Sequence, residues 1–533
     1  MAIRRKYPVG IQTFSRIIRE GYIYVDKTDL VWELAHYASF VFLSRPRRFG
    51  KSLLSSTLHS YFDGDRELFE GLKIMELEQE WTQYPVLHLD LSTAKNMDSV
   101  DELRQALMFM MRDLRDVYGN DPQEQTPGQC LAGLITRAGR QSKNGQVVVI
   151  IDEYDAPLLD VLHEDEILPH FRKVMQELYQ PLKKMEPNIK FCFITGVTKF
   201  SQLSIFSTIN NLMNVTMDAK FAAICGITEE ELVTTLKEDI GLLAEAYETD
   251  WEDMHQKLKL RYDGYRFSES DVEIYNPFSL MKAFGQSKVR NYWFESGTPT
   301  FLIHQMQHFR TDIMSLDRLD VPSAAFDQPT EAMQDALPLL YQSGYLTIKD
   351  YDRDTETYTL SIPNQEVRIG YVSGLLPMYV GLKDYEVQMG FAAKFWVALK
   401  KGDIDLAMRE MQAYLASVPY VEGFKQKLKD AANAEGFYEY TMYLIFSMLN
   451  VYARTQVKCA GGRVDMVVWM PDAIYVFELK VGDTAQAALA QIDSKGYALP
   501  YQTDNRRVVK VGVSMDAETR TVKDWVVEEP FLN

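Results

Sequence analysis

The chain lacks the cysteine pattern of a disulfide-stapled or zinc-bound protein. Cys130, Cys192, Cys225 and Cys459 are scattered over 533 residues without C-x-x-C spacing. That excludes a disulfide framework and a zinc ribbon, and fits reduced thiols buried as small hydrophobes. No apolar run approaches the ~18 residues that cross a bilayer. Arg4, Arg5 and Lys6 are followed by no apolar segment of the signal-peptide kind. A cytoplasmic protein with no membrane partner is expected. Positive charge is also short: 57 Lys+Arg against 75 Asp+Glu leave a net charge of −18. This argues against coating nucleic acid by bulk electrostatics, although a local basic groove or a bound cation can still engage a phosphate. Repeats, heptads and low-complexity linkers are missing too, so the domains should pack directly against each other.

What is present is globular. Apolar content of 46%, with 12% aromatics, supports packed cores, and the length suggests three or four domains. Near the C-terminus, Gly462 to Lys480 holds two apolar, β-rich runs around a Pro471-Asp472 turn, a hairpin signal. A hairpin symmetric about that turn sets Met470 against Ala473, Asp465 against Glu478 and Arg463 against Lys480. Opposed like charges are destabilising. Two carboxylates and a lysine on one face make sense if a divalent cation sits between the acids. Period two puts Ile474, Val476, Glu478 and Lys480 on one side of the second strand. A register shifted by two would instead pair Asp465 with Lys480 as a surface ion pair.

Asp465 with Glu478-Leu479-Lys480 resembles the PD-(D/E)XK nuclease superfamily. The resemblance implies that Asp465 and Glu478 bind Mg²⁺ and that Lys480 orients or activates the attacking water. Ala485 to Tyr497 reads as a helix, with Gln491 and Tyr497 matching a Gln-plus-Tyr signature of one bacterial branch. Glu435 to Asn450 looks like that branch's first core helix, and Glu435 or Glu439 could add a carboxylate. Nucleic acid, DNA foremost, is the partner implied.

A second constellation lies near the front. Ser39 to Leu43 is a buried-strand candidate. Ser44-Arg45-Pro46-Arg47-Arg48-Phe49-Gly50-Lys51-Ser52 follows, and then a helix over Leu53 to Phe62. Strand, loop, Gly-Lys-Ser and helix are the order of a phosphate-binding P-loop. Lys51 would reach the β and γ phosphates of ATP, and Ser52 would bind Mg²⁺. Arg45 stands where the usual pattern has glycine, and Pro46 removes one N–H donor. Arg45, Arg47 and Arg48 could offset that by direct charge. A surface loop ahead of an ordinary helix would read similarly.

The discriminating feature is Gln146 to Ile151, an apolar run that ends in Asp152-Glu153-Tyr154-Asp155 and looks like a Walker B strand buried on both faces. Asp152 would hold Mg²⁺ and Glu153 would polarise the attacking water. Pro85 to Leu91 and Phe191 to Thr195 fit the same parallel sheet. Thr195 is the expected γ-phosphate sensor, with Thr198 and Lys199 as runners-up. Loop residues satisfying local backbone would look the same.

Six motifs in order resemble a bacterial AAA-ATPase-like family whose members often end in a PD-(D/E)XK domain. They are Tyr24-Val25-Asp26-Lys27-Thr28, Arg45 to Ser52, Asp152 to Asp155, Thr195 to Phe200, Tyr262-Asp263-Gly264-Tyr265 and Asn276-Pro277-Phe278-Ser279. The family shares the arginine at position 45. It implies an ATPase with a nuclease-type domain, suspected of roles in mobile elements or phage defence.

Between the two sites, Thr228-Glu229-Glu230-Glu231 reads as a capped helix start within a helical lid, and Tyr262 to Tyr265 as a structural turn. Leu337 to Asn364 reads as a winged helix whose acidic turn, Asp350 to Asp354, would repel phosphate. The expected architecture is α/β: a P-loop domain over 1–215, a helical lid over 216–310, a winged-helix-like module over 311–385, and a helical connector with a restriction-endonuclease-like domain over 386–533. Two functions compete: an ATPase that gates metal-dependent DNA cleavage, and an ATP-dependent switch whose nuclease-like domain binds without cutting. Homo-oligomerisation stays open, and no arginine finger stands out.

Overall fold

The computed structural model describes residues 5–199 without 163 and 165, 211–294, 333–371, 397–417 and 452–529 without 460, 461, 471, 517 and 520. It also describes 302, 305, 306, 308, 309, 311, 316, 318–328, 391, 394 and 395. The expected helix over Glu435 to Asn450, with Glu435 and Glu439, lies outside these residues. The chain divides into two compact units, Met1–Glu366 and Val367–Asn533.

The first unit is built on a parallel sheet of β1 (Phe40–Ser44), β2 (Val86–Asp90), β3 (Val147–Asp152), β4 (Ile189–Gly196) and β5 (Met213–Asn214), in the order β2-β3-β4-β1-β5. Every described pairing is parallel. The run Val-Val-Val-Ile-Ile-Asp of β3 is buried throughout, as a strand covered by helices on both faces must be. Helices Val100–Met110, Pro127–Gln141 and Leu168–Lys184 bury Leu103, Leu107, Leu131, Leu134, Met175 and Leu178 in a shared core with Val147, Val149 and Ile151. The helix Lys51–Phe62 starts directly after Gly50, two residues ahead of the expected start. Ser44, Asp90, Asp152 and Gly196 stand together at the carboxyl end of the sheet, where β/α folds bind ligands.

The helical segment packs Glu229–Thr235, Lys237–Ala246, Trp251–Tyr262 and Pro277–Gln286 around Leu232, Ile240, Leu258 and Leu280. A short pair, β6 (Ile227–Thr228) with β7 (Ile274–Tyr275), ties its ends. Thr228 and Glu231 form a full capping box, and Glu231 also receives Lys27 at 2.7 Å, which explains the Asp26-Lys27-Thr28 motif. The Asn-Pro-Phe-Ser motif is a helix start: Asn276 accepts the Ser279 amide at 3.0 Å, with Pro277 in the first turn.

After the helix Leu337–Gln342 come β9 (Thr347–Asp352) and β10 (Thr357–Ser361), the expected helix and hairpin. A third strand, β8 (Leu319–Pro322), joins β10 on its other edge. β9 runs on through Asp350 and Tyr351, which sequence reading put in the turn. The Tyr351 ring packs 4.4 Å from Tyr358 and holds the strand together there.

The second unit holds a sheet of β11 (Tyr452–Cys459), β12 (Gly462–Trp469), β13 (Ala473–Val481), β14 (Arg507–Met515) and β15 (Val522–Glu528), in sequence order across the sheet. Only β13 and β14 run parallel. The crossover between them carries the helix Ala485–Ser494, whose Ile492 packs with Val464, Ile474 and Val476. The helix stops at Ser494, short of the expected Tyr497, and Tyr497 is buried in the same cluster. Gly512 admits the helix: a Cβ there would lie 2.3 Å from the Ala485 carbonyl oxygen.

Candidate active sites

At the first site the loop after β1 ends in Gly50, whose φ of 93° only glycine adopts readily, and the helix begins at Lys51. Lys51 is buried, and its Nζ donates to the carbonyl oxygens of Arg45 at 2.9 Å and Pro46 at 3.1 Å. Burial lowers its pKa, opposed by the charges of Asp152, Glu153 and Asp155. In the P-loop reading the ammonium would exchange these carbonyl partners for phosphate oxygens.

The Ser52 hydroxyl stands close enough to the Asp152 carboxylate to pull its pKa down, so the P-loop and the β3 tip approach each other at the two expected Mg²⁺ ligands. Burial raises Asp152, while Ser52 and Lys51 pull it back. Glu153 takes a left-handed φ of 47°, a conformation that non-glycine residues reach rarely. Its carboxylate meets Lys95 Nζ at 2.5 Å. Burial would raise Glu153, but Lys95, Lys51 and Arg47 outweigh it and hold it below the usual carboxylate range. Lys95 was not singled out by sequence reading. It follows β2, and the signal that could have found it is the place of β2 beside β3, with Asp90 level with Asp152.

The three loop arginines separate. Arg45 is 1% exposed, and its guanidinium donates to the carbonyl oxygens of Ser44, Thr216 and Phe221 over the Phe267 ring. It is therefore a strut of the loop in this structure, because every one of these partners draws its charge inward. Arg48 donates to the Tyr292 carbonyl oxygen and lies over the Phe278 ring at 4.1 Å. The Arg47 side chain is exposed.

The sensor candidates are engaged as well. Thr195 is fully buried and donates to the Leu43 carbonyl oxygen at 2.7 Å, across the β4–β1 pairing. The Thr198 hydroxyl donates to Asp155 at 2.6 Å. Lys199 pairs with Asp327 at 2.7 Å. Each has a local partner in this structure. Asp155, given no role by sequence reading, also accepts the Val197 and Thr198 amides and fixes the chain after β4.

At the second site the β12–β13 hairpin has the symmetric register. Met470 N–H donates to Ala473 O at 2.8 Å, and the ladder runs from Trp469↔Ile474 to Met466↔Phe477. One further step sets Asp465 against Glu478. There the strands part. In the alternating antiparallel pattern the Leu479 N–H would donate to Val464. It donates instead to Asp465 Oδ2 at 2.7 Å. The β12–β13 ladder ends at Met466↔Phe477, so the expected opposition of Arg463 to Lys480 is not part of it, and on its other side Arg463 pairs with Lys458 of β11. The carboxylate that interrupts the ladder is the one expected to bind metal.

Glu478 is 1% exposed. Its Oε1 accepts from Gln491 Nε2 and faces Lys480 Nζ at 3.5 Å, while its Oε2 has no hydrogen-bond partner among the described residues. A buried carboxylate oxygen without a partner is costly. Burial first, then the Asp465 charge, push Glu478 up to about 8, with Lys480 opposing. These groups fit a divalent cation, which would satisfy the open oxygen and favour the ionised pair. Among the described residues no third His, Cys, Asp or Glu joins them.

Comparison with known proteins fits these two sites. A family model described as "Predicted AAA-ATPase" matches residues 8–206, and one described as "PD-(D/E)XK nuclease superfamily" matches residues 433–525. The chain is 33% identical over 538 positions to "Uncharacterized protein in vnfD 5'region" of Azotobacter chroococcum mcd 1, covering 98% of this chain and 99% of that protein. With an ATPase-like domain on the parallel sheet, a nuclease-superfamily domain on the mixed sheet and a relative alike along nearly its whole length, the chain belongs to the AAA-ATPase-like family that carries a C-terminal PD-(D/E)XK domain.

Proposed function

We propose that this protein hydrolyses ATP at the P-loop and cleaves DNA at the second unit, with nucleotide state gating the cut. The observation that carries this reading is that both chemical sets are assembled by the fold. Ser52 and Asp152 stand together at one, and Glu478 keeps a buried oxygen without a partner among the described residues, beside Asp465, at the other.

Lys51 and the loop amides would hold the triphosphate, and Ser52 and Asp152 its Mg²⁺. Glu153 accepts the proton of the attacking water once Lys95 has released it. Asp465 and Glu478 would hold the nuclease metal, which supplies Lewis acidity when bound. Gln491 holds one Glu478 oxygen, leaving the other open, and Lys480 stands beside the pair to orient water.

Gating is supported by a chain of contacts inside the first unit. Arg48 holds the Tyr292 carbonyl oxygen, and the Trp293 indole N–H donates to the Arg47 carbonyl oxygen at 3.4 Å. The Tyr292 and Trp293 amides donate to Glu366 at 2.6 and 3.1 Å. Glu366 is the last residue of that unit. A P-loop rearranged by nucleotide would thus pull on the boundary.

Among the described residues no helix is long and apolar enough to cross a membrane, and Cys130, Cys192 and Cys225 are buried free thiols. We place the protein in the cytoplasm, in defence or mobile-element biology. The test is plasmid cleavage with Mg²⁺ or Mn²⁺, with and without ATP. Wild type should cut, and Asp465→Ala and Lys480→Ala should not. Mn²⁺ binding without cutting would favour the alternative, a nucleotide switch that binds nucleic acid or a partner.

A further inference from the structure

We infer that Arg47, and neither Arg45 nor Arg48, meets the terminal phosphate of ATP, so that the site carries its own arginine and needs none from a second copy of the chain. This rests on the ATP-site reading above and adds the residue that would stabilise the charge leaving with the γ-phosphate.

The argument is one of elimination followed by placement. A guanidinium can serve a phosphate only if its fork of N–H donors is available. Arg45 is 1% exposed, gives both terminal guanidinium nitrogens to three buried carbonyl oxygens and lies over the Phe267 ring at 4.4 Å, and its remaining Nε is itself buried. Extracting it would take a donor from the buried loop carbonyls, the Thr216 oxygen at 2.7 Å first among them. Arg48 is anchored on the Tyr292 carbonyl and the Phe278 ring. Arg47 lies between them with an exposed side chain.

Its backbone is fixed although its side chain is not. Pro46 restricts the chain before it, and the Trp293 indole holds its carbonyl oxygen at 3.4 Å. The loop therefore presents one long cationic side chain from a rigid base. It stands on the loop that ends in Gly50, four residues ahead of Lys51. An arginine that lowers the barrier by stabilising γ-phosphate charge contributes ~10³-fold or more. Supplied from the P-loop itself, it makes hydrolysis independent of assembly.

The experiment uses the full chain and three readouts. Fluorescent ATP and ADP analogues with Mg²⁺ measure binding, and a coupled assay measures turnover. We expect Arg47→Ala to weaken ATP binding by about tenfold, leave ADP binding unchanged and lower kcat by about a thousandfold, with Arg47→Lys between. The thermal midpoint should be unaltered, because the side chain is exposed. The third readout mixes Lys51→Ala with Arg47→Ala. No activity should return, because each chain needs both residues. Recovery on mixing would show an arginine acting between chains and overturn the inference. So would an Arg47→Ala protein that turns over like wild type. A wild type that neither binds nor hydrolyses ATP would overturn the ATP-site reading itself, which separates the two failures.

Discussion

Lys95 closes on Glu153 at 2.5 Å, a cation set on the residue that would take a proton from water. The pair is about one-third exposed on each side, so it is worth little to stability and its consequence is kinetic. Lys95→Ala should raise basal ATP turnover several-fold, because the carboxylate is released, with thermal stability nearly unchanged. Glu153→Gln should bind ATP and hydrolyse it slowly. Steady-state turnover and nucleotide titration of both variants check this. A fall in turnover for Lys95→Ala would mean the lysine orients the base rather than restrains it.

Thr195 gives a prediction of opposite kind. Its hydroxyl is buried on the Leu43 carbonyl, so Thr195→Val should cost about 1 kcal/mol of stability and leave kcat within about twofold. Thermal unfolding and ATP turnover decide the matter. A hundredfold loss of kcat at unchanged stability would support the sensor role.

Gly512 lies level with Glu478 in the β13–β14 pairing. An added Cβ would meet the Ala485 carbonyl at 2.3 Å and the Leu489 amide at 2.6 Å. Gly512→Ala should lift the helix, draw Gln491 from Glu478 and destabilise the second unit by about 1–3 kcal/mol. Mn²⁺ titration by calorimetry should show weaker binding alongside a lower melting transition. Wild-type values for both would show that the close approach has no role.

Glu366 carries a pH prediction. It is 1% exposed, and burial pushes it from an ordinary 4.5 up to about 7, against the donors of Ser279, Trp293 and Tyr292 and the charge of Arg261. The folded state therefore holds a proton that the unfolded chain releases. Its contribution is full below pH 4.5 and lost as pH rises to about 7, a change of roughly 3 kcal/mol. Glu366→Gln keeps an oxygen for the two amides and should remove that share of the slope. Asp263, also raised to about 7 by burial, leaves a slope of the same sign. Denaturant unfolding at several pH values measures the difference. An unchanged slope in the variant would show that Glu366 does not titrate there.

Much of the fold was legible because its signals are local. The run through Val147 to Asp152 is apolar without a break, and a strand so composed must be buried. The hairpin register followed from one turn and period two. It held to Met466↔Phe477 and then failed at Arg463, because the Leu479 amide chose the Asp465 carboxylate over a strand carbonyl. Such a choice depends on three-dimensional competition between acceptors, which alternation of residue types does not encode.

The amino-acid order alone determined which chemistry is on offer: a Gly-Lys-Ser loop before a helix, Asp-Glu after a buried strand, and Asp with Glu-x-Lys on a hairpin. Tertiary structure decided which side chains are left to perform it. Three arginines share the loop, yet Arg45 is buried on the Thr216 and Phe221 carbonyls and Arg48 bonds that of Tyr292. Lys95 reaches Glu153 only because β2 lies beside β3. The physical reason is that a motif fixes residue types along the chain, whereas a hydrogen bond is settled by whichever partner the packed fold brings within reach.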